Sequence, residues 1–305
     1  MKNALNYYYN LYPTSIHQIN DSYRCYIQSE EYLLMPYQDD FKYINQIYEL
    51  SNYLLQINVP CHKIIKNING QILTLINNTN YLLIQILVKN KNLNIDDILY
   101  FSAIYVDRKY FNELAKDDWY KMWTQKIDYF EYQVSQFGLR YPIIRESINY
   151  YIGMAENSIS LFTNIGGLHR SNSNLLYVCH KRIKSHDGYF DLYNPLNFIL
   201  DNKVRNLSEY IKSKFFFSKY TIDDAKGDIS KFNLNIFQCN MLFVRLLFPS
   251  YYFDCYEQVM EEKKKEIELV KIISKNKSYT NFLKELYIFI KPFSDLPDIE
   301  WIIKT

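Results

Sequence analysis

Glycine is scarce in this chain, with 7 in 305 residues against a usual share of about 7%. The first is Gly70. Backbone that closes around a phosphate needs glycine, so nothing before Gly70 can build a glycine-rich phosphate loop. Cysteine is present but not paired by pattern. Cys25, Cys61, Cys179, Cys239 and Cys255 are odd in number, widely spaced and without a CxxC, which argues against a disulfide framework or zinc ribbon and for reduced, buried thiols. An excess of charge is also missing: 35 basic and 33 acidic residues give +2, too little to draw the protein onto nucleic acid or an anionic membrane. No run approaches the ~18 apolar residues of a membrane span, and MKNALNYYYNLYPTS has no continuous apolar core after its lysine. A soluble or peripheral protein made in the cytosol is expected, with no transmembrane segment and no nucleic-acid partner. What the chain has in abundance is tyrosine, 31 copies, a bias that an AT-rich genome explains in part.

The pattern along the chain changes once. Segments 14–19, 23–28 and 32–37 are short, rich in Tyr and β-branched residues, and separated by turn-forming pairs, which predicts an antiparallel meander. Phe41, Ile44, Ile47, Leu50 and Leu54 then fall three or four apart after Asp39-Asp40, an amphipathic helix over 41–57. Asn69-Gly70 reads as a hairpin turn between strands 63–67 and 71–76, and 81–88 supplies another strand. KNKNLNIDD is polar, so a linker is placed at about 88–94, dividing a β-rich lobe (1–88) from a helical one (89–305), with Asp96 or Asp97 near the next helix start. Helical periodicity covers 119–134, 144–162, 203–216, 232–247, 252–274 and 279–290, around a β region within 175–201. EEKKKE at 261–266 reads as a solvated helix face. The fold class is therefore α+β, on the two-lobe plan of the protein-kinase and aminoglycoside-phosphotransferase superfamily: a small antiparallel β lobe with one helix, then a larger, mainly helical lobe.

A phosphotransferase on that plan needs a strand lysine on the nucleotide phosphates, a catalytic aspartate, a metal-binding asparagine and a later metal-binding aspartate. The third strand, EYLLMPY, offers Met35 where the lysine is expected. Laid on H-G-D-x-x-x-x-N, the stretch CHKRIKSHD keeps His180, puts Lys181 at the glycine, Arg182 at the base and Asp187 at the asparagine. An arginine stays protonated and cannot act as a general base. Asp187 and Asp201 are the remaining metal candidates, and His186 and Asp191 could join them, although the spacing matches no strong metal signature. Cys179 beside His180 is not expected to act as nucleophile and base, because neighbours on a strand face opposite ways. Arg205 and Glu209 read as an i,i+4 ion pair.

Four stretches in order, WYKMWTQKIDYFEYQ at 119–133, YPIIRESINYYIGMAENSISLF at 141–162, CHKRI with LDNKVRNLSEYIKS at 179–213, and LFVRLLFPSYYFDCYEQ at 242–258, resemble the YutH-type branch of the spore-coat kinase-like proteins, related to the CotS group and the aminoglycoside phosphotransferases. Asn206 stands where that family favours Asp, and Ser250 where it favours His. The resemblance implies a coat-associated protein of endospore formers, made in the mother cell and delivered to the spore coat or surface, with other coat proteins as partners. The missing base, strand lysine and loop glycines make it a pseudokinase that binds or scaffolds, with no cofactor expected. The alternative is an atypical small-molecule phosphotransferase that uses ATP and Mg. On the first reading His180, Arg182 and Asp187 are a vestigial loop.

Overall fold

A computed structural model describes residues 1–38, 40–88, 93–166, 175–183 and 192–303. The first lobe is a twisted antiparallel sheet with a helix on each face. Strands β1 (Ser15–Ile19), β2 (Ser22–Ile27) and β3 (Glu30–Pro36) form the expected meander, and α2 (Phe41–Gln56) follows. Asp40 caps α2 by accepting a hydrogen bond from the Lys42 N–H at 2.8 Å, which satisfies one of the free donors of the first turn. β4 (Lys63–Ile65), β5 (Leu73–Ile76) and β6 (Thr79–Ile86) complete the sheet. Consecutive residues of a strand face opposite sides. Leu82 and Ile84 accordingly join the α2 face with Ile44, Ile47, Leu50 and Leu54, while Leu83, Tyr32 and Leu34 pack on the other face.

Two expectations for this lobe need correction. It holds two helices, not one: α1 (Lys2–Tyr9) seals the second face with Leu5 and Tyr9, and the Tyr9 hydroxyl meets Thr74 Oγ1 at 2.9 Å. Its tyrosine run suits a strand by propensity, and a single buried i,i+4 pair is too short a period to read. Asn69-Gly70 is also not a hairpin turn. β4 and β5 do not pair with each other; both lie along β6. The loop between them is held by Asn67 Oδ1, which accepts from the N–H groups of Asn69 and Gln71 at 3.0 Å each, with Gly70 at φ 76°. The tight hairpin joins β5 to β6 through Asn77-Asn78, at φ 49° and 63°, left-handed values that Asn tolerates better than most residues.

In the second lobe, α3 (Ile95–Phe101) starts at an Asn94 capping box closed by Asp97. Of the expected linker at 88–94, residues 89–92 lie outside the described residues. A three-stranded sheet follows in the order β7 (Tyr105–Asp107), β8 (Leu175–His180), β9 (Phe198–Asp201). It is surrounded by α4 (Trp119–Phe137), α5 (Pro142–Asn164), α6 (Val204–Phe217), α7 (Ile222–Ser230), α8 (Ile236–Leu247), α9 (Ser250–Met260), α10 (Glu268–Ile273) and α11 (Asn276–Ile290). The helix expected over 252–274 is broken, because Glu262 adopts φ 58° and 261–267 turns out of line. EEKKKE is therefore a turn and not a helix face. Its Glu266 accepts from the Ile144 N–H at 2.8 Å and so caps the first turn of α5.

Much of the aromatic excess is structural. Tyr151 stacks on Tyr252 at 3.6 Å, Phe216 on Tyr251 at 3.8 Å and Trp123 on Phe248 at 4.3 Å between ring centres. One apolar cluster runs from Leu82 and Leu50 through Trp119 and Leu200 to Phe253, across both lobes. Polar contacts lace the lobes as well: the Tyr43 hydroxyl donates to Phe198 O at 3.3 Å, the Glu113 N–H to Gln46 Oε1 at 2.9 Å, and the His62 N–H to Tyr193 O at 2.8 Å. All five cysteines are buried and unpaired, and no helix among the described residues is long and apolar enough to cross a membrane.

Candidate functional site

The residues singled out by spacing gather around the end of β8. His180 closes that strand opposite Phe198 of β9 and is fully buried. Its backbone N–H donates to Asn206 Oδ1 at 3.0 Å; Nδ1 lies 3.0 Å from the same oxygen and Nε2 2.8 Å from Leu192 O. Burial holds the imidazole down to about 4, against the pull of those two oxygens. Asn206, on the first turn of α6, completes the anchor by donating from Nδ2 to Val178 O at 3.1 Å. His180 and Asn206 thus fix the chain entering the loop. Cys179 faces elsewhere, with Sγ 3.5 Å from Asn202 O, and burial pushes its thiol up, so this thiol and imidazole do not meet.

Arg182, which the spacing sets at the base position, is clamped to Asp254 of α9. Its NH2 donates to Oδ1 at 2.6 Å and its Nε to Oδ2, while NH1 donates to Lys181 O at 2.7 Å. Glu209 Oε2 stands 3.9 Å from Nε. Burial disfavours the charge on this guanidinium, but Asp254 and Glu209 outweigh it and hold the positive charge more firmly than usual. Asp187, His186 and Asp191 lie outside the described residues.

Asp201 is fully buried at the end of β9, and both its oxygens have protein donors. Trp119 Nε1 reaches them at 2.8 and 3.0 Å, Arg205 NH1 donates to Oδ2 at 2.7 Å, and the Asn202 N–H donates to Oδ1 at 2.7 Å. Arg205 therefore pairs one turn back with Asp201, not forward with Glu209. Glu209 turns instead to Arg245, whose NH2 donates at 2.9 Å, and to Lys212 at 3.2 Å. Burial would raise the Glu209 carboxyl, yet Lys212, Arg182 and Arg245 keep it well below the usual range. The Lys212 ammonium, which burial pulls down to about 8, also donates to Ser250 Oγ at 2.6 Å and Arg245 O at 3.1 Å. Arg245 lies 4.4 Å above the Trp119 ring. Asp201, Arg205, Arg245, Glu209, Lys212, Arg182 and Asp254 make one network through the floor of the lobe. Asp254, Arg245 and Trp119 escaped the sequence reading; the one signal was an arginine inside the apolar run MLFVRLLF.

In the first lobe Met35 pairs with Leu82 and packs on the large apolar cluster. A kinase pairs its strand lysine with a helix glutamate; the one carboxylate within α2 is Glu49, which is exposed. Among the described residues no three His, Cys, Asp or Glu side chains converge on a metal-sized point. Two cavities of about 650 Å³ each flank the clamp and share Arg182, Asp254 and Gln258. One opens between α6, α9 and α10 past Lys212, Ser250 and Cys255; the other passes Lys116, Lys181 and Arg205. Neither is lined by a residue before Lys116.

The model of the family described as "Spore coat putative kinase YutH" matches residues 2–286. This chain belongs to that family. The resemblance read from the four sequence stretches is borne out, and so is the kinase-like two-lobe fold. An aminoglycoside phosphotransferase from Alicyclobacillus acidocaldarius superposes with a TM-score of 0.68 at 9% identity, over 96% of this chain and 97% of that one. AMP-bound spectinomycin phosphotransferase gives 0.62 at 10% identity, over 94% and 96%. Amicoumacin kinase gives 0.57 at 12% identity, over 97% and 94%. At such identities the likeness is one of fold. No curated protein matches the sequence.

Proposed function

We propose that this member of the spore-coat family is a pseudokinase that binds or scaffolds other coat proteins, made in the mother cell and carried to the coat, with no nucleotide or metal cofactor. The observation that carries this reading is the Arg182–Asp254 clamp. On the spacing, a cation stands where a base would accept the hydroxyl proton, and Asp254 of α9 pairs with that cation. Two further features support it: Asp201 has protein donors on both oxygens, and Met35 gives the nucleotide phosphates no cation. Surface tyrosines such as Tyr7, Tyr110 and Tyr132, each more than 60% exposed, suit contacts with other proteins because they bury large area at small entropic cost.

The test is thermal unfolding with millimolar Mg-ATP compared with Mg-free tripolyphosphate at equal ionic strength. A ligand stabilises only the state that binds it, so Mg-ATP should add nothing beyond the polyphosphate, and no phosphate should be released or transferred. A saturable, Mg-dependent rise specific to ATP would overturn the reading in favour of an ATP- and Mg-dependent small-molecule phosphotransferase.

A further inference from the structure

Within the buried network, Lys212 and Ser250 bring an amine and a hydroxyl together in the wall of a cavity. Nζ and Oγ stand 2.6 Å apart, both residues are buried, and both line the space between α6, α9 and α10. A lysine ammonium has three protons to place. Glu209 Oε1 at 3.2 Å and Arg245 O at 3.1 Å receive two of them, and the third points at Ser250. In the neutral amine those two acceptors keep their protons, and the lone pair is left facing the hydroxyl. Burial favours that neutral form most; Glu209 of the same helix opposes it, Arg245 of α8 and Arg182 support it, and the net pull is down to about 8. The other charged groups in the lining are Asp254, paired with Arg182, Lys264, and Glu268 with Lys271. About a tenth of the molecules then carry the free amine at pH 7.

Ser250 opens α9 directly after Pro249. Its N–H donates to Phe248 O, and those of Tyr252 and Phe253 both donate to Pro249 O. The Tyr251 N–H has no acceptor among the described residues. A free N–H immediately after a nucleophile is a donor for the negative oxygen of a tetrahedral acyl intermediate.

We propose that Ser250 and Lys212 are nucleophile and base for acyl transfer, and that the cavity takes a small carboxylic ester or thioester. Ser250 Oγ bonds to the acyl carbon as its proton passes to Lys212 Nζ; the C–O or C–S bond then breaks, and the proton leaves with the alcohol or thiol. Water, deprotonated by the same amine, hydrolyses the acyl-serine and restores both groups. Tyr251, Cys255 and Ile272 in the same lining favour an apolar acyl chain. The volume, about 650 Å³, falls within the span of small-molecule sites, roughly 300 to 1,000 Å³. This chemistry uses no nucleotide and stands apart from the pseudokinase reading.

The experiment is labelling of the whole chain with an alkyl fluorophosphonate, which bonds irreversibly to an activated serine, followed by intact mass and peptide mapping. One adduct per chain at Ser250 is expected, forming about tenfold faster at pH 7 than at pH 6 and levelling off above about pH 9 as the amine fraction saturates. The protein should hydrolyse p-nitrophenyl butyrate with the same pH profile. Ser250→Ala should abolish both. Lys212→Arg keeps a cation against Glu209 but offers no free amine, and should slow labelling at least about a hundredfold; urea midpoints establish that each variant is folded. If Lys212→Arg fails to fold, Ser250→Ala and the pH profile carry the comparison. No adduct at Ser250, a labelling rate independent of pH, or labelling of Lys212→Arg at the wild-type rate overturns the dyad and leaves Lys212 a structural cation. None of these results bears on whether Mg-ATP is bound.

Discussion

His180 should make this protein acid-sensitive below pH 6.5. The imidazole is fully buried and held down to about 4 from 6.5. Above pH 6.5 it is neutral in both states. Below that the unfolded chain takes up a proton that the folded one refuses, so stability falls with pH until the folded pKa is reached. One proton is worth about 1.4 kcal/mol per pH unit, so the loss by pH 4 is on the order of 3 kcal/mol. Burial places His62 at about 4 as well, and it adds a second proton over the same window. The assay is urea unfolding followed by tryptophan fluorescence at pH 7, 6, 5 and 4.5. His180→Gln should lower stability at pH 7 by about 2 to 4 kcal/mol through lost packing against Phe101 and Phe198 and unmatched polar groups. It should also flatten the pH dependence by up to one proton. Asn206→Asp should flatten it too, because an anion 3.0 Å from Nδ1 favours the imidazolium. Parallel stability curves for wild type and His180→Gln between pH 6 and 4.5 would refute the reasoning.

The Arg182–Asp254 clamp should show a coupling of about 1 to 3 kcal/mol in a double-mutant cycle with Arg182→Ala and Asp254→Ala; with the side chains 31% and 29% exposed, solvent screening brings the figure below that of a fully buried pair. A coupling under about 0.5 kcal/mol would mean that the clamp is a surface pair. Arg245→Ala removes one of the two close cations on Glu209, leaving Lys212, and the cover over Trp119, and should cost about 3 to 5 kcal/mol in urea unfolding. A change within about 1 kcal/mol would show that Glu209 is satisfied without it.

Local rules carried the reading of the fold as far as they reach. The meander, the Asp40 start of α2 and the long helices α4 and α5 follow from period and caps, which are properties of neighbouring residues. The hairpin failed for a non-local reason: Asn69-Gly70 and Asn77-Asn78 are both turn pairs, and only the pairing of β4 and β5 with β6 decides which reverses the sheet. Helix α1 was hidden because tyrosine reads as strand until a sheet face is there to receive Leu5 and Tyr9. At the site, spacing located His180 and Arg182, but their partners come from elsewhere in the chain. Asp254 follows Arg182 by 72 positions and Asp201 follows Trp119 by 82. Arg205 had an acid one turn away on either side, and spacing could not choose between them. The choice was made by Arg245 and Lys212, which claim Glu209.

On the proposed reading of Arg182, the same network opposes placing a base at that position by a single substitution. A half-buried Arg182 is favoured by a carboxylate against it, since a charge partly withdrawn from water is costlier unpaired than paired, and α9 supplies Asp254. Arg182→Asp would restore the side chain a phosphotransferase needs while placing it against Asp254 and near Glu209. Carboxylates crowded together cannot all ionise, and one would be driven protonated. A proton-bearing acid there is no base at neutral pH. Arg182 is therefore bound to the cohesion of α6 and α9, and on the proposed reading a base there would require replacing Asp254 as well as Arg182.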